Sequence, residues 1–218
     1  MTATHRSLAG QRGFSFIEIL IVMAIIGVLA AGVTVAITMW NKRAPILATE
    51  NTLSKTKLYI DDWKSLFEMY PPSNVTRIPT VVGQGGKVSA PDNKVNAGIE
   101  SIYQALSYPG FNKDPEWGTE ELSNVDEDSL KKAINKLGVP DLYEIRDAYG
   151  HPLVYFNRDD YAVAFDSGVS YMNAEFEEYE ARPYKREDGT FYNPSSFQIY
   201  SVGEDGEPNT EDDIVLWD

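Results

Sequence analysis

Hydrophobic and polar positions divide this chain into two regimes. From Gly13 to Trp40 it reads GFSFIEILIVMAIIGVLAAGVTVAITMW, with one charge, Glu18, and no proline. A helix rises about 1.5 Å per residue, so roughly 20 apolar residues cross the ~30 Å hydrocarbon core of a bilayer. Backbone in lipid must satisfy its own polar groups, which predicts a helix here. Beyond Pro45 the pattern changes. Ile46, Leu53, Ile60, Trp63, Phe67 and Tyr70 recur at steps of seven, seven, three, four and three, the apolar stripe of an amphipathic helix. Glu50, Lys55, Lys57, Asp61, Asp62 and Lys64 fall on the other face. Pro45 lacks a helical donor and predicts a kink, and Pro71-Pro72 predict the stop.

The remainder mixes short periods. Residues 73–96 are rich in Pro and Gly. Their Gly85-Gly86-Lys87 fails as a phosphate loop, because Val81 stands at the first glycine position and Val88 at the hydroxyl position. Gly98 to Leu106 reads as a short helix. Asp126 or Asp128 caps a further expected helix through Leu130, Ile134 and Leu137, closed by Gly138 and Pro140. Three strands are expected: one through Leu153-Val154-Tyr155, an alternating one over Tyr161 to Phe165, and Phe197 to Val202. The charged and aromatic stretch from Glu175 to Glu187 reads as a surface excursion. The fold class is therefore α+β, a long N-terminal helix on a small antiparallel sheet.

Composition narrows the chemistry. The 218 residues carry 19 Lys+Arg against 33 Asp+Glu, a formal net charge of −14. Nucleic acid as a partner is disfavoured, since phosphate binding needs a basic stripe. With no Cys there is no disulfide and no thiolate chemistry, and with only His5 and His151 a multi-histidine zinc site within one chain is excluded. The many carboxylates suit a hard divalent cation. A cleaved signal peptide is a rival for the N-terminus, with Arg6 and Arg12 ahead of the run and Ala30-Ala31 as a cleavage-like pair. The run continues past that pair, and a carboxylate stands near its start. An acid inside a membrane helix is costly and points to function, unless Glu18 snorkels to the headgroups.

Gly13-Phe14-Ser15-Phe16-Ile17-Glu18 opening an apolar helix resembles the leader junction of type IV pilins and type II secretion pseudopilins. The resemblance implies that a prepilin peptidase cuts between Gly13 and Phe14 and methylates the amine of Phe14. Glu18 becomes the fifth mature residue, where the family has its glutamate. A carboxylate buried in a filament core needs a cation, and a neighbouring subunit's α-amino group supplies one. Many family members carry a proline further along, where this chain has Val33-Thr34-Val35-Ala36. Two further stretches resemble the family: Tyr70-Pro71 followed by a helix, and Asp147-Ala148-Tyr149-Gly150-His151-Pro152 leading into a strand. The organisation implied is a leader over 1–13, a transmembrane and filament-core helix over 14–40, the soluble half of that helix over 41–72, and a globular domain over 73–218. Residues 111–146 and 166–196 read as insertions.

The tail, Ser201 to Ile214, packs acids around glycine turns. By composition it is a solvated acidic turn, and it lacks the spacing of an EF-hand. It resembles the calcium loop of the major pseudopilin, which implies Ca²⁺ held by Asp205, Asp212 and Asp213, with Glu211 a lesser candidate and carbonyls from Ser201 to Glu204 completing the shell. The function implied is that of a structural, non-enzymatic subunit of a type II secretion pseudopilus. It would sit in the bacterial inner membrane with its C-terminal domain in the periplasm. Its partners would be further copies of itself, other pseudopilins, the prepilin peptidase and the inner-membrane assembly platform. A pilin for adhesion or motility and a membrane-anchored calcium-dependent binding module are the alternatives. For a hydrolase, no spacing singles out an acid and a base among the carboxylates.

Overall fold

The computed structural model describes residues 14–78, 88, 91 and 93–217, with side chains 31–39 outside that description. Helix α1 runs Phe16–Phe67 with Pro45 inside it. The chain divides into two compact units, Met1–Arg43 and Ala44–Asp218. In the first, the apolar side chains from Phe14 to Leu29 are exposed. Among the described residues no helix is long and apolar enough to cross a membrane. The transmembrane expectation over 14–40 is not confirmed on that ground, because side chains 31–39 of that stretch lie outside the described residues.

In the second unit the amphipathic stripe is buried from Leu53 to Trp63, while Ile46 at its start is exposed. Leu53, Ile60 and Trp63 are fully buried, against α2 (Ala97–Leu106) and a three-stranded antiparallel sheet. That sheet has the order β3 (Val154–Asn157), β6 (Phe197–Ser201), β7 (Ile214–Val215). Val154 lies opposite Tyr200 and Tyr155 opposite Ile199. Successive strand side chains point to opposite faces. Tyr155, Phe197 and Ile199 therefore join the α1/α2 core, and Val154, Phe156 and Tyr200 build a second core on the other face. Gln198 is buried beside the short β7. Its side-chain amide accepts from the Tyr184 N–H at 2.7 Å and donates to the carbonyls of Tyr184 and Tyr192 at 3.0 and 2.9 Å.

Helix α1 ends at Phe67, earlier than the prolines, where Glu68 takes a positive φ of 60°. The prolines instead lock the chain after it. Pro71 O accepts from the Tyr155 hydroxyl at 2.7 Å and the Asn157 amide at 2.9 Å, and Pro72 O accepts from Ser101 Oγ at 2.6 Å. All of α2 from Gly98 to Leu106 is buried. A Cβ at Gly98 would lie 2.2 Å from the Tyr155 carbonyl oxygen, so only glycine allows α2 this close to β3.

Three expectations are corrected. Tyr161 to Phe165 is not a strand but part of helix α3 (Tyr161–Ser167). Tyr161 and Ala164, three apart, are buried while Val163 is exposed, so helical spacing wins over the apparent alternation. No helix follows Asp126 and Asp128. Leu130 N donates to Pro140 O at 2.9 Å, Ser129 pairs with Asp141, and Asn135 bonds both the N–H and the carbonyl of Val139. An asparagine side chain that captures nearby backbone competes with helix formation, and Leu137 is exposed rather than on a buried face. The excursion from Glu175 holds a strand, β5 (Glu178–Ala181), paired antiparallel with β4 (Val169–Met172). The stretch 111–146 carries the two-residue strands β1 (Leu122–Ser123) and β2 (Glu144–Ile145), paired with each other. It is tied to α1 by Lys55–Glu121 at 2.5 Å and by Lys113–Asp62.

Candidate functional site

The N-terminal site is built by the start of α1. Ser15 stands at the helix N-cap, and its N–H donates to Glu18 Oε2 at 2.7 Å. A glutamate three positions into a helix that reaches back to the cap amide is half of a capping box. Its charge also faces the positive end of the helix dipole. Glu18 thus has a local partner in the single chain. Around it Phe14, Phe16, Ile17, Ile19, Leu20 and Ile21 are all exposed. With the exposed apolar residues that follow as far as Leu29, they cover every side of the helix rather than one stripe. Gly13 lies outside the described residues.

The tail is a second cluster. Gly203 has φ +72°, and a Cβ there would lie 2.4 Å from the Asp212 carbonyl oxygen, so this turn requires glycine. Asp212 Oδ2 accepts from the N–H groups of Glu204 and Asp205 at 2.9 and 3.1 Å, and Oδ1 from Thr210 Oγ at 2.6 Å. Burial opposes its charge, but the Thr210 hydroxyl and these amides outweigh that and hold its pKa below the usual carboxylate range. Asp213 Oδ2 accepts from the Asn209 N–H at 3.0 Å and from the Tyr184 hydroxyl, while its Oδ1 is buried without a partner. Burial pushes Asp213 up to about 6. Asp205 Oδ1 caps its own turn through the Glu207 N–H at 2.9 Å, and Glu211 is exposed. Asp205 and Asp212 are thereby neighbours, and Asp213 faces Tyr184 instead.

The Asp147-to-Pro152 stretch braces this tail. Asp147 Oδ1 accepts from the N–H groups of Tyr149 and His151, both at 2.9 Å, and Oδ2 accepts from Ser201 Oγ at 2.5 Å. Ser201 is fully buried. The His151 ring nitrogen Nδ1 accepts from the Ala174 N–H at 3.3 Å. Asp147 therefore meets the histidine through main chain and the serine directly, which is the wiring of a turn brace rather than of a nucleophile and base.

A third cluster escaped the sequence reading. Glu100 on α2, Asp126 in the turn after β1 and Glu144 on β2 bring one oxygen each to within 4.8 Å of one another. In the sequence Asp126 reads only as a candidate helix cap. The one available signal was Glu100, a lone charge in the α2 sequence AGIESIYQAL.

Residues 8–34 match the family model described as the prokaryotic N-terminal methylation motif. That motif is the hallmark of type IV pilin-like and pseudopilin-type proteins, which are processed by a prepilin peptidase. No curated protein and no solved structure matches this chain.

Proposed function

We propose that this chain is a structural subunit of a type II secretion pseudopilus, anchored in the bacterial inner membrane before assembly and polymerising through the start of α1. One observation carries the reading. Apolar side chains cover the full circumference of the helix start, interrupted by the single carboxylate of Glu18, inside a stretch that matches the methylation motif. Such a surface is too large to be left in water. Stacking of like helices buries it, and each buried Glu18 then needs a cation. Cleavage between Gly13 and Phe14 would create that cation next to the cap, as the amine of Phe14. In a filament the carboxylate exchanges the Ser15 amide for a neighbour's ammonium group.

Glutamine serves a capping box as well as glutamate does, so Glu18→Gln removes the charge and keeps the helix start. Purified Glu18→Gln protein should melt like wild type yet form no filaments by electron microscopy. The mature wild-type chain should begin at Phe14 and carry one methyl group by mass spectrometry. Filaments of normal length from the glutamine variant would defeat the assembly reading.

The tail is proposed as a Ca²⁺ loop on its likeness to the pseudopilin loop, supported by the closeness of Asp205 and Asp212. Removing Ca²⁺ with EDTA should lower the melting temperature of wild type by more than it lowers that of Asp212→Asn. An identical EDTA response in both proteins would remove Asp212 from the ligand set.

A further inference from the structure

Glu100 is fully buried, and neither of its carboxylate oxygens has a hydrogen-bond partner. An unpaired ionised carboxylate in a protein interior costs several kcal/mol, so something must neutralise it. The charged groups that act on it most strongly are other acids: Asp128, Asp126 and Glu144. Glu144 is also fully buried; both its oxygens accept a long 3.2 Å bond from the Val125 N–H, and the Asn96 side chain also bears on it. Both oxygens of half-buried Asp126 are shielded from solvent.

Two agents can neutralise such a cluster: a proton on each buried carboxyl, or a metal ion held by all three. A proton shared between carboxyls needs an oxygen pair at hydrogen-bond distance, about 2.5–2.7 Å. Glu100 has no partner at such a distance. Oxygens that share one Ca²⁺ at about 2.3–2.6 Å lie up to roughly 5 Å apart, the diameter of the shell. The three acids fall inside that diameter, with oxygens within 4.8 Å of one another. They also come from three separate pieces of chain, α2, the turn after β1, and β2, which is the arrangement of a cross-link rather than of a local turn.

We propose that Glu100, Asp126 and Glu144 form a buried site for a hard divalent cation, Ca²⁺ by its ligand chemistry, which staples the 111–146 stretch onto α2. The site is separate from the tail loop and does not rest on that reading. In a chain with no Cys it takes the place of a covalent tie.

The test counts Ca²⁺ bound per full-length chain in detergent micelles, by equilibrium dialysis at about 1 mM free Ca²⁺, the range of extracellular modules. Glu100→Gln and Asp126→Asn should each bind one Ca²⁺ fewer than wild type, while Asp212→Asn keeps the ion at this site. Asp126 is the least buried of the three, so Asp126→Asn keeps the test readable should the more deeply buried change disturb folding. If both variants bind as much Ca²⁺ as wild type, protons alone neutralise the cluster and the proposal falls. It falls equally if Asp212→Asn abolishes all binding. An unchanged count in Asp212→Asn, by contrast, sinks only the tail loop.

Discussion

In the presence of a chelator, this protein should become more stable as the pH falls from 8 to 5, the reverse of ordinary acid sensitivity. Burial pushes Glu144 up to about 7 and, together with neighbouring acids, Glu100 up to about 11; burial also raises Asp213 to about 6. Each is an acid whose folded pKa lies above its unfolded value near 4. Its contribution to stability is complete below about pH 4 and is lost as pH rises through the folded pKa. Each proton that only the folded state keeps is worth about 1.4 kcal/mol per pH unit. Glu100 and Glu144 together should therefore move stability by several kcal/mol across this window. Opposing groups exist, since Glu121 and Asp212 are held below their usual range, but theirs is the smaller effect because both are largely solvated. Melting curves in EDTA at pH 5 and pH 8 read this directly. A melting temperature that is higher at pH 8 would show that these carboxyls are not held as the geometry requires. Ca²⁺ at pH 8 should recover much of the loss, since a cation does there what protons do at pH 5.

The second large effect belongs to a single missing carbon. Gly98→Ala would drive a methyl group to 2.2 Å from a backbone carbonyl of β3, an atom that cannot rotate away. Helix α2 would have to lift off the sheet and loosen Ile99, Ile102 and the anchor from Ser101 to Pro72. Overpacking of this kind costs about 3 kcal/mol. Gly27→Ala is the natural comparison, because nothing lies within 4 Å of a Cβ there. Urea midpoints should fall sharply for the first and stay put for the second. A Gly98→Ala protein as stable as wild type would mean that α2 and β3 are not in contact at this point.

Much of this architecture is written in local patterns, and what is missing is written in none. The stripe from Leu53 to Trp63, the Gly98 helix and the strands at Val154 and Phe197 each bury the face that their spacing assigns. Tyr161 to Phe165 misleads because the two small alanines let five residues satisfy either period. The stretch from Leu130 to Leu137 misleads because Asn135, not hydrophobic spacing, decides its backbone. The acids of the tail are visible as a cluster in the sequence, but their division of labour is not. Asp212 gathers two amides while Asp213 turns to Tyr184. Glu100, Asp126 and Glu144 are far apart in the sequence and meet only because α2 and the β1–β2 pair close on each other.

Gln198 has a consequence for a molecule that meets many copies of itself. Strand β7 covers only Tyr200 and Ser201 of β6, and a bare flank on a sheet is a template for foreign strands. The Gln198 side chain imitates a peptide group and zips that flank to Tyr184 and Tyr192. That flank is thereby occupied by a segment of its own chain rather than left open to another.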